Sequence, residues 1–451
     1  MGVLAVYGVP DASTFLYYGL HNLQHRGQEG GGIATFDEKG ESHRYRGLGL
    51  LNEVFNNGQV GKLKGSLGIG CVKYANASRS GLDNVGPFFF RHHSGDFCVA
   101  SDGNLVNSKQ IAEYLEKRGT IFQTDTDAEL LAHLIKKSAN EDRIVNIVKA
   151  LNMMEGGYTF VIMTKNRIYA ARDKYGIKPL CIGRIGDGYV VSSESCAFGI
   201  MGAEFIRDVR PGEIISLDHH GIRSTLFSKF CKHRMCGMEY IYFARPDSDI
   251  DGCNVHAYRK EAGRRLCREN PVEADMVVGV PESSLSAAMG YAEESGLPYE
   301  MGLIKHKYVG RTFIEPVQSM RELGVKMKLS PVYSIVKGKR IILVDDSIVR
   351  GTTCLKIVRL LREAGATEVH VRIASPMMKY TCHYGVDTST PEELLCSHRT
   401  LEEARQAIGA DSLGYLSPES TRASAFGCAD PCQACFTGEY PTLLYDQEID
   451  E

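Results

Sequence analysis

The segment that most constrains the fold of this chain runs from residue 341 to residue 353 and reads IILVDDSIVRGTT. Its four apolar residues, Ile341 to Val344, predict a buried strand. The strand leads directly into Asp345 and Asp346, and a hydroxyl-rich loop then opens into an amphipathic helix. Ligands of parallel α/β sheets bind at the carboxyl ends of strands, so we expect a binding site where this strand becomes a helix.

The chemistry of this segment suits a phosphorylated sugar. Adjacent carboxylates can accept hydrogen bonds from vicinal hydroxyls or bind a divalent cation. The N–H groups at a helix N-terminus favour an anion. The alternative is a solvated turn with a capping threonine. The predicted site residues are Asp345, Asp346, Ser347, Ile348, Val349, Arg350, Gly351, Thr352 and Thr353.

Two further segments fit the same site. A serine-rich loop, Pro281-Glu282-Ser283-Ser284, follows an apolar strand, and it suits a pyrophosphate group with Ser283 at the metal. An ordinary turn is the alternative for this loop. The cationic stretch KHKYVGRT, from residue 305 to residue 312, suits a mobile lid over phosphates, although such stretches are often solvated loops. The predicted lid residues are Lys305, Lys307 and Arg311.

The chain divides into two halves that differ in their predicted pattern of strands and helices. Residues 1–230 show short β-like runs separated by glycines, with one clear helical pattern near AELLAHLIKKSA. This pattern of many short strands and few helices predicts an α+β sandwich. Residues 231–451 alternate strands with helices, which predicts a doubly wound parallel sheet. We therefore expect two domains with a boundary near residue 230.

Charge and composition exclude several classes of protein. The 52 basic and 55 acidic residues give a net charge of −3, so nothing indicates nucleic acid or an anionic membrane as partner. No apolar run approaches the roughly 18 residues of a transmembrane helix, and the first residues do not resemble a signal peptide. We expect a soluble cytoplasmic protein. Its 14 cysteines then favour metal binding or burial over disulfides.

Together with these segments, several longer motifs resemble the glutamine phosphoribosylpyrophosphate (PRPP) amidotransferases, or amidophosphoribosyltransferases. The resemblance covers essentially the whole chain. The motifs are YYGLHNLQHRGQEGGGIAT (17–35), DGNLVN (102–107), PGEI (211–214), MEYIYFARPDSDIDG (238–252) and GLIKHKYVGRTFIEP (302–316).

The resemblance implies a glutaminase domain of the N-terminal-nucleophile type joined to a type I phosphoribosyltransferase domain. In this family, ammonia from glutamine attacks C1 of PRPP and pyrophosphate leaves, which gives the 5-phosphoribosylamine of purine biosynthesis. By resemblance, Asp345 and Asp346 bind ribose hydroxyls and Mg²⁺, residues 347–353 bind the 5-phosphate, and Ser283 binds the metal. Glu282 departs from the usual aspartate. A homo-oligomer and inhibition by purine nucleotides are also implied.

Part of the family carries a [4Fe–4S] cluster. Its cysteine pattern falls here on Cys236, Cys382, Cys432 and Cys435. Two alternatives remain open, namely a structural Zn²⁺ and four free thiols. Cys428 lies close in sequence and could compete as a ligand.

The glutaminase half departs from the family pattern at its catalytic positions. Met1 stands where the family has its cysteine nucleophile, and a thioether cannot form an attacking thiolate. Lys73 replaces the arginine that binds the glutamine carboxylate. Asp102 replaces the asparagine of the oxyanion hole, where it repels the oxyanion unless burial keeps it protonated. Asp127 remains, and Cys71 offers a substitute thiol without a base.

These departures predict a decayed glutaminase and an enzyme that uses PRPP with free ammonia, or with ammonia or another amine from a partner. One alternative is a non-catalytic regulatory paralogue that binds PRPP or purine nucleotides. The other is the full glutamine-dependent activity of the family, with this interpretation of the pocket being wrong.

Overall fold

The computed structural model describes residues 1–74, 81–138, 140, 142–306, 329–388, 390–426 and 430–445. Within them, the first half forms two antiparallel sheets, ordered β11-β9-β10-β1-β4-β2-β3 and β13-β12-β8-β7-β6-β5. The strands are β1 (Gly2–Tyr7), β2 (Gly30–Phe36), β3 (Ser42–Leu48), β4 (Leu67–Lys73), β5 (Phe88–Phe90), β6 (Phe97–Leu105), β7 (Gly156–Thr164), β8 (Arg167–Arg172), β9 (Cys181–Ile185), β10 (Gly188–Ser192), β11 (Glu204–Asp208), β12 (Glu213–Asp218) and β13 (Gly221–Leu226).

Helices cover both outer faces of the paired sheets, so the predicted α+β sandwich is confirmed. In the first half, the sequence clearly predicted only the helix near AELLAHLIKKSA. The structure also contains the regular helices α1 (Ala12–Asn22), α3 (Ser108–Glu116) and α5 (Arg143–Met153). Aromatic and β-branched residues in α1 and α5 lower their helix propensity, and packing against a sheet overrides it. The helices are α1 (Ala12–Asn22), α2 (Leu51–Val54), α3 (Ser108–Glu116), α4 (Asp127–Lys137), α5 (Arg143–Met153) and α6 (Cys196–Met201).

The second half contains a parallel sheet with the order β16-β19-β20-β21. Helices α7 and α8 pack on one face, and α10 and α11 pack on the other, which confirms the doubly wound fold. The elements are β14 (Asp249–Ile250), β15 (Cys253–Asn254), α7 (Val255–Glu269), β16 (Met276–Gly279), α8 (Leu285–Ser295), β17 (Leu303–Lys305), β18 (Leu329–Pro331), α9 (Tyr333–Val336), β19 (Arg340–Asp345), α10 (Thr352–Glu363), β20 (Glu368–Ile373), α11 (Leu401–Ile408), β21 (Ser412–Tyr415), α12 (Pro418–Ala423) and α13 (Ala434–Thr437).

The register of the parallel sheet fixes the position of the site. Gly279, the last residue of β16, lies opposite Val344 of β19. The loops that follow these two strands therefore leave the sheet at the same edge. Leu303–Lys305 forms a short strand outside this sheet and pairs antiparallel with β18.

None of the helices in the described parts of the chain is both long enough and apolar enough to span a bilayer.

Candidate active site

The structure brings the acidic pair and the serine loop together. Asp345 ends β19 and Asp346 begins the following loop, and both carboxylates are buried. The Ser284 hydroxyl donates to Asp345 Oδ1 at 2.8 Å, and the Ser347 hydroxyl donates to Asp346 Oδ1 at 2.6 Å. Ser283 also hydrogen-bonds Asp346. The sequence analysis assigned no role to Ser284, although it follows Ser283 directly.

The electrostatics of the pair fit a divalent cation. Burial, reinforced by the charge of Asp346, raises the pKa of Asp345 to about 8, and burial also raises the pKa of Asp346. A cation that binds both carboxylates removes this penalty. Carboxylate and hydroxyl oxygens are the ligands that Mg²⁺ prefers. Arg259 adds positive potential near Asp346, and its guanidinium donates to two backbone carbonyls, at Tyr240 and Ala244, at 2.8 Å each.

The loop after the pair forms a turn at the N-terminus of α10, where backbone N–H groups favour an anion. Gly351 adopts a φ of 79° immediately before the helix, a left-handed conformation that glycine accepts without strain. The Ile348 side chain is only 4% exposed and anchors the loop in the core. Arg350 extends to Glu393 with nitrogen–oxygen distances of 2.8 and 2.6 Å. The groups left for a phosphate are therefore the backbone N–H groups and the hydroxyls of Thr352 and Thr353.

The predicted lid lies partly within the described residues. Lys305 ends β17, and its Nζ lies 3.6 Å from Glu282 Oε2 in the serine loop. A cation of the lid segment therefore reaches the loop predicted to hold pyrophosphate. Lys307 and Arg311 lie outside the described residues.

One cavity of about 540 Å³ joins this site to the first half of the chain. It is lined by Ser283 and residues 345–354, together with Tyr242, Phe243 and Asp387, which the sequence analysis did not single out. Tyr242 and Phe243 belong to a π-helical turn, Glu239–Phe243, within the MEYIYF motif. That motif carried the family resemblance without an assigned role. The residues of the first half that line the cavity are Met1, His25, Arg26, Gln28, Tyr74 and Lys178.

A buried ion network closes the first-half end of this cavity. Arg26, 4% exposed, donates to Glu239 at 2.6 and 2.8 Å, to Glu194 at 2.7 Å and to Asp102 at 3.2 Å. Lys178 Nζ lies 3.7 Å from Glu239 and 3.9 Å from Asp102. We call Arg26, Asp102, Lys178, Glu194 and Glu239 the buried ion network.

Asp102 is ionised within this network. Burial alone would raise its pKa, but the Met1 amine, Lys178 and Arg26 together lower the pKa of Asp102 to about 2. The Met1 amine lies 3.4 Å from Asp102 Oδ1. Burial therefore does not protonate Asp102, which carries a negative charge within the network.

The other first-half residues singled out from the sequence also have close contacts or are buried. Lys73 Nζ lies 3.7 Å from Glu29 Oε2 and is buried. Asp127 begins α4 and accepts a hydrogen bond from the Leu105 N–H at 3.1 Å. Cys71 is 5% exposed, and burial raises the pKa of its thiol to about 12. A thiol with this pKa is not a nucleophile at neutral pH.

The four cysteines predicted to hold a cluster converge from three segments. Cys236 and Cys432 form a parallel β-bridge, and the Gly237 N–H donates to the Cys432 carbonyl at 3.0 Å. The N–H groups of two residues near Cys382 donate to the Cys435 carbonyl at 3.0 Å each. Burial and the neighbouring thiols raise the pKa of Cys236 to about 12. Cys428 lies outside the described residues.

The described residues do not bring three of these sulfurs as close together as the ligands of a tetrahedral zinc site are. Tetrahedral zinc at about 2.3 Å from each sulfur holds its sulfurs about 3.8 Å apart. Among the described residues, no three cysteine sulfurs lie within 4.8 Å of one another. A four-iron cluster binds each cysteine through a different iron, so its sulfurs are further apart. The Tyr384 N–H also donates to the Cys382 sulfur at 3.3 Å, which suits a thiolate ligand.

Comparisons with known proteins agree with this architecture. Residues 84–199 match a family model for the glutamine amidotransferase domain, and residues 264–385 match one for the phosphoribosyl transferase domain. The fold and the site thus define an enzyme of the phosphoribosyltransferase class, a glycosyltransferase, joined to a glutamine-amidotransferase-like domain.

Full-length relatives define the family more narrowly. An amidophosphoribosyltransferase of Bacillus subtilis is 52% identical over 99% of this chain and 95% of its own length. One from Staphylococcus aureus is 48% identical over 99% of this chain and 92% of its own length. The structure of glutamine PRPP amidotransferase from B. subtilis, complexed with ADP and GMP, superimposes with a TM-score of 0.94 at 51% identity, over 100% of this chain and 99% of that one. The chain belongs to the amidophosphoribosyltransferase family.

Proposed function

We propose that this enzyme makes 5-phosphoribosylamine and pyrophosphate from PRPP for purine biosynthesis, with ammonia rather than glutamine as its nitrogen donor. The observation that favours ammonia over glutamine as the donor is the ionised Asp102 beside Met1. Hydrolysis of glutamine needs a nucleophile and a donor to the developing oxyanion. This pocket has a thioether at the first position and a carboxylate at the second.

The match to the glutamine amidotransferase model supports the fold of the first half more than its chemistry. It spans residues 84–199 and so includes neither Met1 nor Lys73. The first domain, which we place at residues 1–230, then serves as a scaffold. The second domain, residues 231–451, carries the transfer reaction.

In the transfer reaction, we assign Asp345 and Asp346 to the ribose hydroxyls and to Mg²⁺, with Ser283 as a further metal ligand. When bound, Mg²⁺ neutralises the charge that develops on the leaving pyrophosphate. The loop from Ser347 to Thr353 binds the 5-phosphate through its N–H groups and hydroxyls. Lys305, Lys307 and Arg311 cover the pyrophosphate and exclude water. Ammonia then attacks C1 as the bond from C1 to the pyrophosphate oxygen breaks.

We assign Cys236, Cys382, Cys432 and Cys435 to a [4Fe–4S] cluster, because three separate segments bring them together and the Tyr384 N–H donates to the Cys382 sulfur. These cysteines lie on three segments that backbone hydrogen bonds connect to one another. A cluster would therefore attach the C-terminal tail to the rest of the protein. The B. subtilis enzyme was solved with ADP and GMP. By analogy, we propose purine nucleotides as regulators of this enzyme and a homo-oligomer as its assembly.

The test supplies PRPP with ammonia, with glutamine or with neither, and measures pyrophosphate and glutamate. We expect pyrophosphate with ammonia alone, and no glutamate in any reaction. Met1→Cys should restore little or no glutaminase, because Asp102 and Lys73 remain. Glutamate from the unmodified enzyme would refute the choice of donor. Pyrophosphate in none of the reactions, combined with binding of PRPP, would favour a regulatory paralogue.

A further inference from the structure

His25 lines the cavity that contains the proposed PRPP site, and the proposed reaction assigns it no role. His25 belongs to a 3₁₀ turn, Gln24–Arg26, and lines the cavity together with residues 345–354. Its side chain is 26% exposed, so it is accessible to solvent as well as to the cavity. It therefore lies on a route from solvent to the site where PRPP reacts.

A buried carboxylate orients the His25 ring. The Nε2 atom of His25 lies 2.6 Å from Oε1 of Glu194, which is fully buried. The second carboxylate oxygen of Glu194 accepts from the Arg245 N–H at 2.9 Å and from the Ser248 hydroxyl at 2.7 Å. Both oxygens are thus fixed, and the ring has little freedom to turn.

This contact determines which ring nitrogen is basic. Burial alone would raise the pKa of Glu194, but His25 and Arg26 lower it, so Glu194 is charged at neutral pH. A charged carboxylate only accepts hydrogen bonds, so in the neutral imidazole of His25 the proton is on Nε2 and the lone pair is on Nδ1. Among the described residues, Nδ1 has no hydrogen-bond partner. The charged groups around the dyad are Arg26, Glu194, Arg245, and, further along the buried ion network, Asp102, Lys178, Glu239 and the Met1 amine.

We propose that His25, oriented by Glu194, accepts a proton from ammonium and so delivers neutral ammonia to PRPP. This inference rests on the proposed use of ammonia. Ammonia is almost entirely ammonium at neutral pH, and ammonium has no lone pair with which to attack C1. A histidine–carboxylate pair is a common proton acceptor in catalysis.

In this proton transfer, one N–H bond of ammonium breaks, its electron pair stays on the nitrogen, and the proton binds Nδ1 of His25. The imidazolium is stabilised by Glu194 and later releases its proton to solvent at the exposed edge of the ring. Ammonia then forms the C–N bond at C1 while pyrophosphate leaves with the electron pair of the C–O bond. The C1-bound ammonium group formed in this step releases one proton to solvent and becomes the amine.

The test compares two nucleophiles in His25→Gln. Glutamine keeps an N–H donor for Glu194 but has no basic nitrogen. Hydroxylamine is already uncharged at neutral pH and needs no proton acceptor. We expect His25→Gln to lower kcat/KM for total ammonium at pH 7 by about 100-fold while hydroxylamine turnover changes by less than about threefold. The matched control is His21→Gln, on the exposed part of α1, which should alter neither.

The pH profiles of the wild-type enzyme and His25→Gln provide a second measurement. In His25→Gln, kcat/KM for total ammonium should rise about tenfold per pH unit around pH 7, because it then follows the fraction of free ammonia. With His25 as acceptor, the wild-type value should depend less steeply on pH. Wild-type and variant profiles of equal slope, or an equal loss with both nucleophiles, would overturn the inference. If wild-type enzyme used ammonia at no pH, the proposed function itself would fail.

Discussion

At the scale of single residues, Asp102 shows what a sequence can and cannot predict. The sequence places a carboxylate where the family has an amide, and it predicts a repulsive oxyanion hole. It does not predict the protonation state, because the groups that keep Asp102 charged come from positions 1, 26 and 178. These positions are brought together only by the paired sheets.

Asp346 is the residue whose replacement most directly tests the transfer site. Asp346→Asn should lower pyrophosphate release by about 100-fold or more, because it removes a charge that we assign to Mg²⁺ or ribose binding, while far-ultraviolet circular dichroism stays unchanged. The matched control is Asp275→Asn. Asp275 precedes β16 at the opposite end of the same sheet, where it accepts from Arg340. Unchanged turnover in Asp346→Asn would exclude Asp346 as a required ligand.

Asp208 should make stability depend on pH. Burial and the neighbouring Asp251 raise its pKa to about 7, against 3.8 for an ordinary aspartate. Between about pH 4 and pH 7 the folded protein retains a proton that the unfolded chain has lost, so stability falls as the pH rises through this window. Asp208→Asn should therefore be more stable than wild type at pH 8 by about 1 kcal/mol and gain nothing at pH 4.

Denaturant unfolding at the two pH values measures this difference. Asp187→Asn, in the exposed turn between β9 and β10, is the control and should match wild type at both. An equal effect of Asp208→Asn at pH 4 and pH 8 would contradict the assignment.

At the scale of elements, the parallel sheet was the most predictable part of the fold. The continuous apolar runs of β16 and β19 are typical of strands buried on both faces, and their ends place the acidic pair and the serine loop at one edge. The hydrogen bond from Ser284 to Asp345 and the contribution of Arg259 were not predictable. Both depend on how α7 and α8 approach the sheet, and local sequence patterns do not encode that approach.

The close packing of α7 against α8 depends on glycine. A Cβ atom at Gly290 would lie 1.9 Å from the Lys260 carbonyl oxygen, so Gly290→Ala should cost about 3 kcal/mol. Gly199 in α6 has open space around it, and Gly199→Ala should stabilise by about 0.5–1 kcal/mol through helix propensity. Thermal unfolding of both variants measures the contrast. Similar shifts in the two would show that α7 and α8 are less closely packed than described.

At the scale of the whole molecule, the cysteine site tests how the C-terminal tail is held. Protein purified without oxygen should be brown, with about four irons per chain. Cys435→Ser should lose the colour and increase proteolysis after residue 430, whereas Cys231→Ser, at an exposed thiol, should not. A colourless protein with one zinc per chain would show that the four cysteines form a structural zinc site instead.

The contacts of the Arg26 guanidinium make the stability of the first half depend on the second. The same guanidinium contacts Glu194 from the first half and Glu239 from the second, and all three side chains are almost fully buried. If the two halves were produced as separate polypeptides, Arg26 would lose the carboxylate that both of its terminal nitrogens contact, and Glu239 would lose the same partner. Removal of one partner of a buried ion pair is destabilising, so the first half should be less stable alone than within the full chain.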